Sequence, residues 1–222
     1  MQLYDQLLLF PLFQGMSRDN LEQVVGHTRF GFHKYEPKKW VAKENDKHHQ
    51  MSFLLSGVLQ AVTFSDDHVY SVVEEVEAPA ILQSETLFGY HQTFTHAYQA
   101  QTDCSFITIE KSEVLRLCEE FLIFRLNLLN HYTTMLQKMT QRCWRNYPTS
   151  LTQRIARFLV EHCITQTGPK TFHILMTRLA DEIGDSRLDV SHALNKMQND
   201  GLIALHRGRI EVPQMELIAK LA

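Results

Sequence analysis

The chain has 222 residues, 44% of them hydrophobic and 21% charged, with a formal net charge of −3. That balance excludes a disordered or low-complexity protein and leaves room for one large or two modest domains. No apolar run reaches the roughly 18 residues needed to span a bilayer. The richest, LLLFPLF at 7–13, is broken by Pro11, and the lysine- and arginine-free segment before it does not fit a secretory signal. A cytoplasmic protein without a membrane partner is expected. Cys104, Cys118, Cys143 and Cys163 are 14, 25 and 20 residues apart and form no C-x-x-C pair, which points to free thiols and away from a disulfide framework.

In chain order, MSRDNLEQVV (16–25) reads as a helix with Ser17 as its cap. From Arg29 to Ile109 follow short runs rich in aromatic and branched residues, namely RFGFHKY, MSFLLSG, VLQAVTF, VYSVVEEV, AYQAQ and SFITI. Their spacing is close to ten residues and SDDH (65–68) is a clear turn, so this zone predicts a sandwich or jelly-roll barrel. Ser56-Gly57 parts two strands able to pair.

Next comes a helix over about 112–146. Phe121, Leu128, Tyr132, Met135 and Met139 follow a three-and-four spacing, accompanied by Leu129 and Leu136. These seven are read as a homodimer seam in preference to packing on the chain's own barrel. The helix is expected to end before Tyr147-Pro148. SLTQ (150–153) then opens another helix as a capping box, and FHIL (172–175) is a short strand.

Thr177 precedes RLADEIG, whose Gly184 is placed to end a helix in a left-handed conformation. Ser186 caps a second helix, with Asp189 completing an S-x-x-D box. Val190, Ala193, Leu194 and Met197 turn inward, leaving Arg187, Leu188, Ser191, His192 and Asn195 outward. LIALHRGRIEV then folds as a hairpin about Arg207-Gly208. Arg207 and Arg209 at its tip suit a phosphate backbone. Charge totals hide this: residues to 150 carry 13 basic and 17 acidic side chains, those after it 9 and 8.

This succession, and above all TRLADEIGDSRLDVSHALNKMQNDGLI (177–203), resembles the Crp/Fnr family of bacterial transcription regulators over nearly the whole chain. PLFQGMS (11–17) and residues 34–62 resemble its N-terminal helix and first strands. The resemblance implies an α+β fold: an effector jelly roll over 1–118, a dimerisation helix over 119–147 and a winged helix-turn-helix over 148–222. It implies a homodimer on two-fold-related double-stranded DNA, in contact with RNA polymerase, that is not an enzyme. Arg187 matches the family's guanine-reading arginine, for which bidentate bonding to O6 and N7 is the physical reason. Thr177, Arg178, Ser186, Leu188, Ser191, His192, Asn195, Arg207 and Arg209 complete the expected DNA-binding set. Leu188 stands where a glutamate is common, so the half-site of the best-known members does not carry over.

In cyclic-AMP-binding members a Gly-Glu pair and an Arg-Ser/Thr pair hold the ligand. The matching stretch here, 79–104, contains no Arg or Lys, and an anion buried without a cation is costly. Ser84, Glu85, Thr86, Thr95 and His96, with Met139 and Thr140 on the long helix, form the expected effector set, for an effector the sequence does not name. The cysteine group of iron–sulfur members is absent. His33, His48, His49, His91 and His96 leave haem open as a ligand. Two other readings compete. In one the chain is a ligand-binding module signalling through partners; in the other it is a cupin-like metal enzyme, against which adjacent His48 and His49 count because strand neighbours face opposite ways.

Overall fold

The computed structural model describes residues 3–144, 146 and 148–222. In chain order the elements are α1 (Leu3–Leu7), α2 (Arg18–His27), β1 (Phe30–Tyr35), β2 (Trp40–Ala42), β3 (Gln50–Ser56), β4 (Val58–Phe64), β5 (Ser71–Glu77), β6 (Ala80–Leu82), β7 (His96–Ala100), β8 (Cys104–Glu110), α3 (Lys111–Glu120) and α4 (Leu122–Cys143). There follow α5 (Leu151–Glu161), β9 (Lys170–His173), α6 (Met176–Ile183), α7 (Arg187–Asn199), β10 (Ala204–His206), β11 (Arg209–Val212) and α8 (Met215–Ala219). Two compact units result: Met1–Leu59 with Val76–Cys143, and Gln60–Glu75 with Trp144–Ala222.

In the first unit β1, β8, β3 and β6 form an antiparallel sheet in that order, and β2 pairs with β7. Period-two alternation gives each strand of the sheet two faces. Met51 and Phe53 on β3, and Ile107 and Ile109 on β8, are fully buried against helices. The LLLFPLF run is core: Leu7, Phe10, Leu12 and Phe13 are fully buried. Phe10 meets Phe53 edge-on at 4.9 Å, and Phe13 meets Phe124 of α4 at 5.3 Å. Asn127 Nδ2 donates to the carbonyls of Leu12 and Gln14 at 3.1 and 2.8 Å, satisfying the end of that run.

Ser17 caps α2 by accepting from the Asn20 amide, as the sequence predicts. Two expectations change. β3 and β4 do not pair; they lie in different sheets, because the single residue between them, Gly57, is too short for a two-residue hairpin turn. The long helix is two, broken at Phe121, whose extended backbone (φ −121°, ψ 101°) lets its side chain enter the core. The expected helix end at 145–147 falls partly on Arg145 and Tyr147, which lie outside the described residues.

In the second unit the order is β10-β11-β9-β5-β4. Here the segment 60–75 is built onto the winged helix: Ser71–Glu74 pair with His173–Lys170 in an antiparallel ladder, and Val72 joins the apolar cluster of Ile155, Leu159, Leu179 and Leu194. β9 begins two residues earlier than the FHIL motif, since Lys170 and Thr171 complete this ladder. Lys170 Nζ lies 3.1 Å from Glu74 Oε1, with both side chains 1% exposed. Glu74 also accepts from the amides of Ile164 and Thr165, and Lys170 donates to Thr165 Oγ1. Such extra partners are what make a buried ion pair tolerable, and removing one member strands the other. Glu74→Ala is therefore expected to destabilise the second unit by about 3–5 kcal/mol in urea unfolding. A loss under about 1 kcal/mol would show that the pair is relieved by water.

Candidate nucleic-acid interface and effector region

The first helix of the pair, α6, exposes Thr177 and ends at Gly184 in the left-handed conformation (φ +70°, ψ 43°), its amide bonding to the Ala180 carbonyl. The turn is pinned from behind. Arg154 on α5 donates to the Ile183 carbonyl at 3.3 Å and pairs with Asp185, whose other carboxylate oxygen accepts from the Ser186 amide at 2.9 Å. These bonds hold the Asp185 carboxyl below its ordinary range, the Ser186 amide first and Arg154 second.

Ser186 then caps α7. Its hydroxyl accepts from the Asp189 amide at 3.1 Å and donates to the Asp189 carboxylate at 2.6 Å. Val190, Leu194 and Met197 are fully buried and Ala193 packs beside them. On the other side Arg187, Leu188, His192 and Asn195 are exposed and Ser191 half-buried. Leu188 is 65% exposed, a large apolar surface left in water on the face where α7 would meet a partner. Met176, Arg187, Leu188 and Ser191 wall one concavity at the start of the helix.

The wing forms with His206 opposite Arg209 across Arg207-Gly208. Arg207 is exposed. Arg209 pairs with Glu211 at 3.1 Å, and His206 Nε2 lies 3.3 Å from the same carboxylate, so Glu211 tempers the basic tip in a way the sequence reading did not include. Arg178 is similarly engaged: it pairs with Glu182 at 2.7 Å and Asp67 at 3.0 Å, and lies 5.8 Å from the centroid of the Tyr70 ring.

The expected effector residues are joined by a residue that sequence reasoning missed. Gln83 is 5% exposed and adopts a left-handed backbone (φ 38°, ψ 45°). Its Oε1 accepts from the Thr95 amide at 2.8 Å and from the Thr95 hydroxyl at 3.0 Å, while its Nε2 donates to Tyr98 Oη at 3.2 Å. Ser84 reaches α4: its hydroxyl is 2.9 Å from His131 Nε2, and its carbonyl accepts from Tyr132 Oη at 2.8 Å. Thr86 bonds His48, Glu85 is exposed and His96 is half-buried. Met139 and Thr140 are exposed on α4. No sequence periodicity marks Gln83, because its role depends on a backbone angle unusual for its type.

Of the other histidines, His33 bonds Thr108 and His49 and His91 are exposed. Among the described residues no group of three or more His, Cys, Asp or Glu side chains is arranged to hold a metal ion, and no helix is long and apolar enough to cross a membrane. Cys104, Cys118 and Cys163 are free thiols.

The model of the cyclic nucleotide-binding domain matches residues 32–121, and that of the Crp-like helix-turn-helix domain matches residues 153–221. The chain belongs to the Crp/Fnr family. It is thereby a DNA-binding transcription regulator with a cyclic-nucleotide-binding-like N-terminal domain. No curated protein matches the sequence. Among solved structures it is similar to the catabolite activator protein of Thermus thermophilus, at 16% identity over 96% of this chain and 98% of that one, with a TM-score of 0.52. It is likewise similar to a putative regulator of the crp/fnr family from Eubacterium rectale (17% identity, 96% and 98% covered, TM-score 0.50). The sensor domain of the regulator DNR from Pseudomonas aeruginosa covers 66% of this chain and 94% of its own, at 16% identity and a TM-score of 0.52. At such identities the likeness is one of fold.

Burial pushes His96 down to about 4 and also lowers His48 and His131, the last aided by Lys138. A depressed folded-state pKa means that the unfolded chain takes up protons first. The stability from these neutral imidazoles is therefore complete above about pH 6.5 and is lost as the pH falls toward about 4. Calorimetry between pH 7 and 4.5 should show the first unit's melting temperature falling, and His96→Phe should flatten the fall. An equal slope in the variant would assign the loss to other groups.

Proposed function

We propose that this Crp/Fnr regulator acts as a homodimer that places two copies of α7 in successive major grooves of a two-fold-related DNA site. The exposed face of α7 carries the reading: Arg187, Leu188, Ser191, His192 and Asn195 lie clear of the core, behind a turn that fixes the helix direction. Arg187 suits guanine O6 and N7, and Leu188 suits a thymine methyl. Thr177 and Arg207 are exposed and suit phosphates, whereas Arg178 and Arg209 first have to leave their carboxylates.

Dimerisation is supported by the two faces of α4. Phe121 and Leu128 are in the chain's own core, with Tyr132 packed on it, and Met135 is half-buried. Leu129, Leu136 and Met139 are 54%, 63% and 64% exposed. With Leu122 and Leu126, also exposed, and with Thr133 and Thr140, the residues 122, 126, 129, 133, 136 and 140 follow an alternating four-three spacing. That is a heptad seam with nothing among the described residues to cover it. Leu129→Asp with Leu136→Asp should give a folded monomer in analytical ultracentrifugation and much weaker DNA binding; a dimer that persists would remove the seam.

The effector is proposed to be other than a cyclic nucleotide. Residues 79–104 hold no cation, and the two donors of Thr95 are occupied by Gln83. Millimolar cyclic AMP should leave operator affinity unchanged in fluorescence anisotropy.

For the DNA reading itself, Arg187→Ala should cost about 1–3 kcal/mol on a selected site and relax the preference at one base pair. The measurement is binding to a site selected from random duplexes. Unchanged affinity and selectivity would favour a module that signals through protein partners.

A further inference from the structure

The inner face of the β1-β8-β3-β6 sheet sets polar side chains beside Tyr35, Leu82 and Phe106. Gln50, Ser52, Thr108 and His33 line a cavity of about 190 Å³ there, while the opposite face of the same strands carries the aromatic core. Gly31 permits this: a Cβ at that position would lie 2.3 Å from Thr108 Oγ1, the oxygen that bonds His33 Nε2 at 3.2 Å. A further wall is the loop 46–49, which is tied down by backbone bonds from the His48 amide to the Gln92 carbonyl and from the Phe94 amide to the Asp46 carbonyl, both 2.9 Å.

His48, on that wall, is 2% exposed and stacks on Phe94 with centroids 4.2 Å apart. Its Nδ1 is 2.6 Å from Thr86 Oγ1, and the Thr86 hydroxyl donates its one hydrogen to the Gln83 carbonyl at 3.1 Å. We assign the Thr86 hydrogen to the Gln83 carbonyl, the imidazole proton to His48 Nδ1 and a lone pair to Nε2. That Nε2 is buried and has no partner among the described residues. Buried acceptors are nearly always met, and the ring is a wall of the cavity while Thr86 is not. Lys47, an exposed residue, lines the same cavity; the carboxylate beside it, Asp46, accepts from the Lys43 amide at 2.7 Å.

We propose that this chamber binds a small 2-hydroxycarboxylate, its hydroxyl donating to His48 Nε2 and its carboxylate paired with the Lys47 ammonium. The inference rests on the reading of the first unit as an effector domain and gives it a second, distinct site. The cavity of about 190 Å³ has room for an acid of a few carbons. An occupant at His48 is connected to α4 through Thr86, the turn it shares with Ser84, and the bonds from Ser84 to His131 and Tyr132.

The test uses the full chain with glycolate as the probe and acetate, which lacks the hydroxyl, as its control. Glycolate is expected to saturate, to shift the His48 Nε2 nitrogen resonance in the sense of an accepted hydrogen bond, and to bind at least tenfold more tightly than acetate. In His48→Phe the difference between the two acids should vanish, and Lys47→Gln should weaken both. An unmoved His48 resonance at tens of millimolar glycolate, or equal affinities for the two acids in the unaltered protein, would overturn the proposal without need of a variant. DNA binding measured on the same samples separates the two readings. Protein that binds its operator but not glycolate loses only the chamber; protein that binds glycolate but no DNA loses only the regulator.

Discussion

Everything the winged helix can do depends on how the chain leaves α6. Gly184 turns it through a left-handed residue, and the Arg154–Asp185 pair fixes that turn to α5. Ser186 begins α7 within two residues. A helix started so abruptly has no freedom in direction, because cap, turn and buried Val190 and Leu194 are each tied to a different neighbour. The outward face is then set by periodicity alone. Relaxing the turn would leave the same side chains on the helix but aim them elsewhere, and a bidentate contact with guanine does not tolerate a shift of that kind.

A second organising feature is that single elements serve two environments. On β3 and β8 the alternate residues divide between an apolar core and a cavity where Gln50, Ser52 and Thr108 stand beside Phe106. On α4 one stripe closes the core and the other stands open. The break at Phe121 ends α3 and starts α4 anew at Leu122, and the register of α4 then sets both stripes.

Much of this was legible in the sequence where a local rule suffices. Ser17, Ser150, Gly184 and Ser186 are caps and stops whose chemistry is contained within four residues, and they are found in those roles. At Ser150 the capping glutamine is used differently: Gln153 Oε1 accepts from the Ser150 hydroxyl. The two-residue wing turn and the basic tip were equally local. What stayed hidden depends on partners distant in the chain. Nothing near Gln83 announces a buried amide in a left-handed backbone, nothing near Glu211 shows that it faces His206 and Arg209, and periodicity could not tell which of the two stripes on α4 would be covered.

The buried Glu74–Lys170 pair has one more consequence, for anyone who would divide the molecule. Residues 60–75 sit in the middle of the N-terminal half by number, yet the winged helix borrows them: Val72 fills its core, Tyr70 donates to His162 Nε2, and Glu74 neutralises Lys170. A fragment beginning near residue 148 would keep every side chain proposed to read bases and still be an incomplete body, with an uncompensated ammonium in its interior and an unpaired β9 edge. The DNA-binding half of this chain is a structure assembled from two separated stretches of sequence, and no single cut releases it whole.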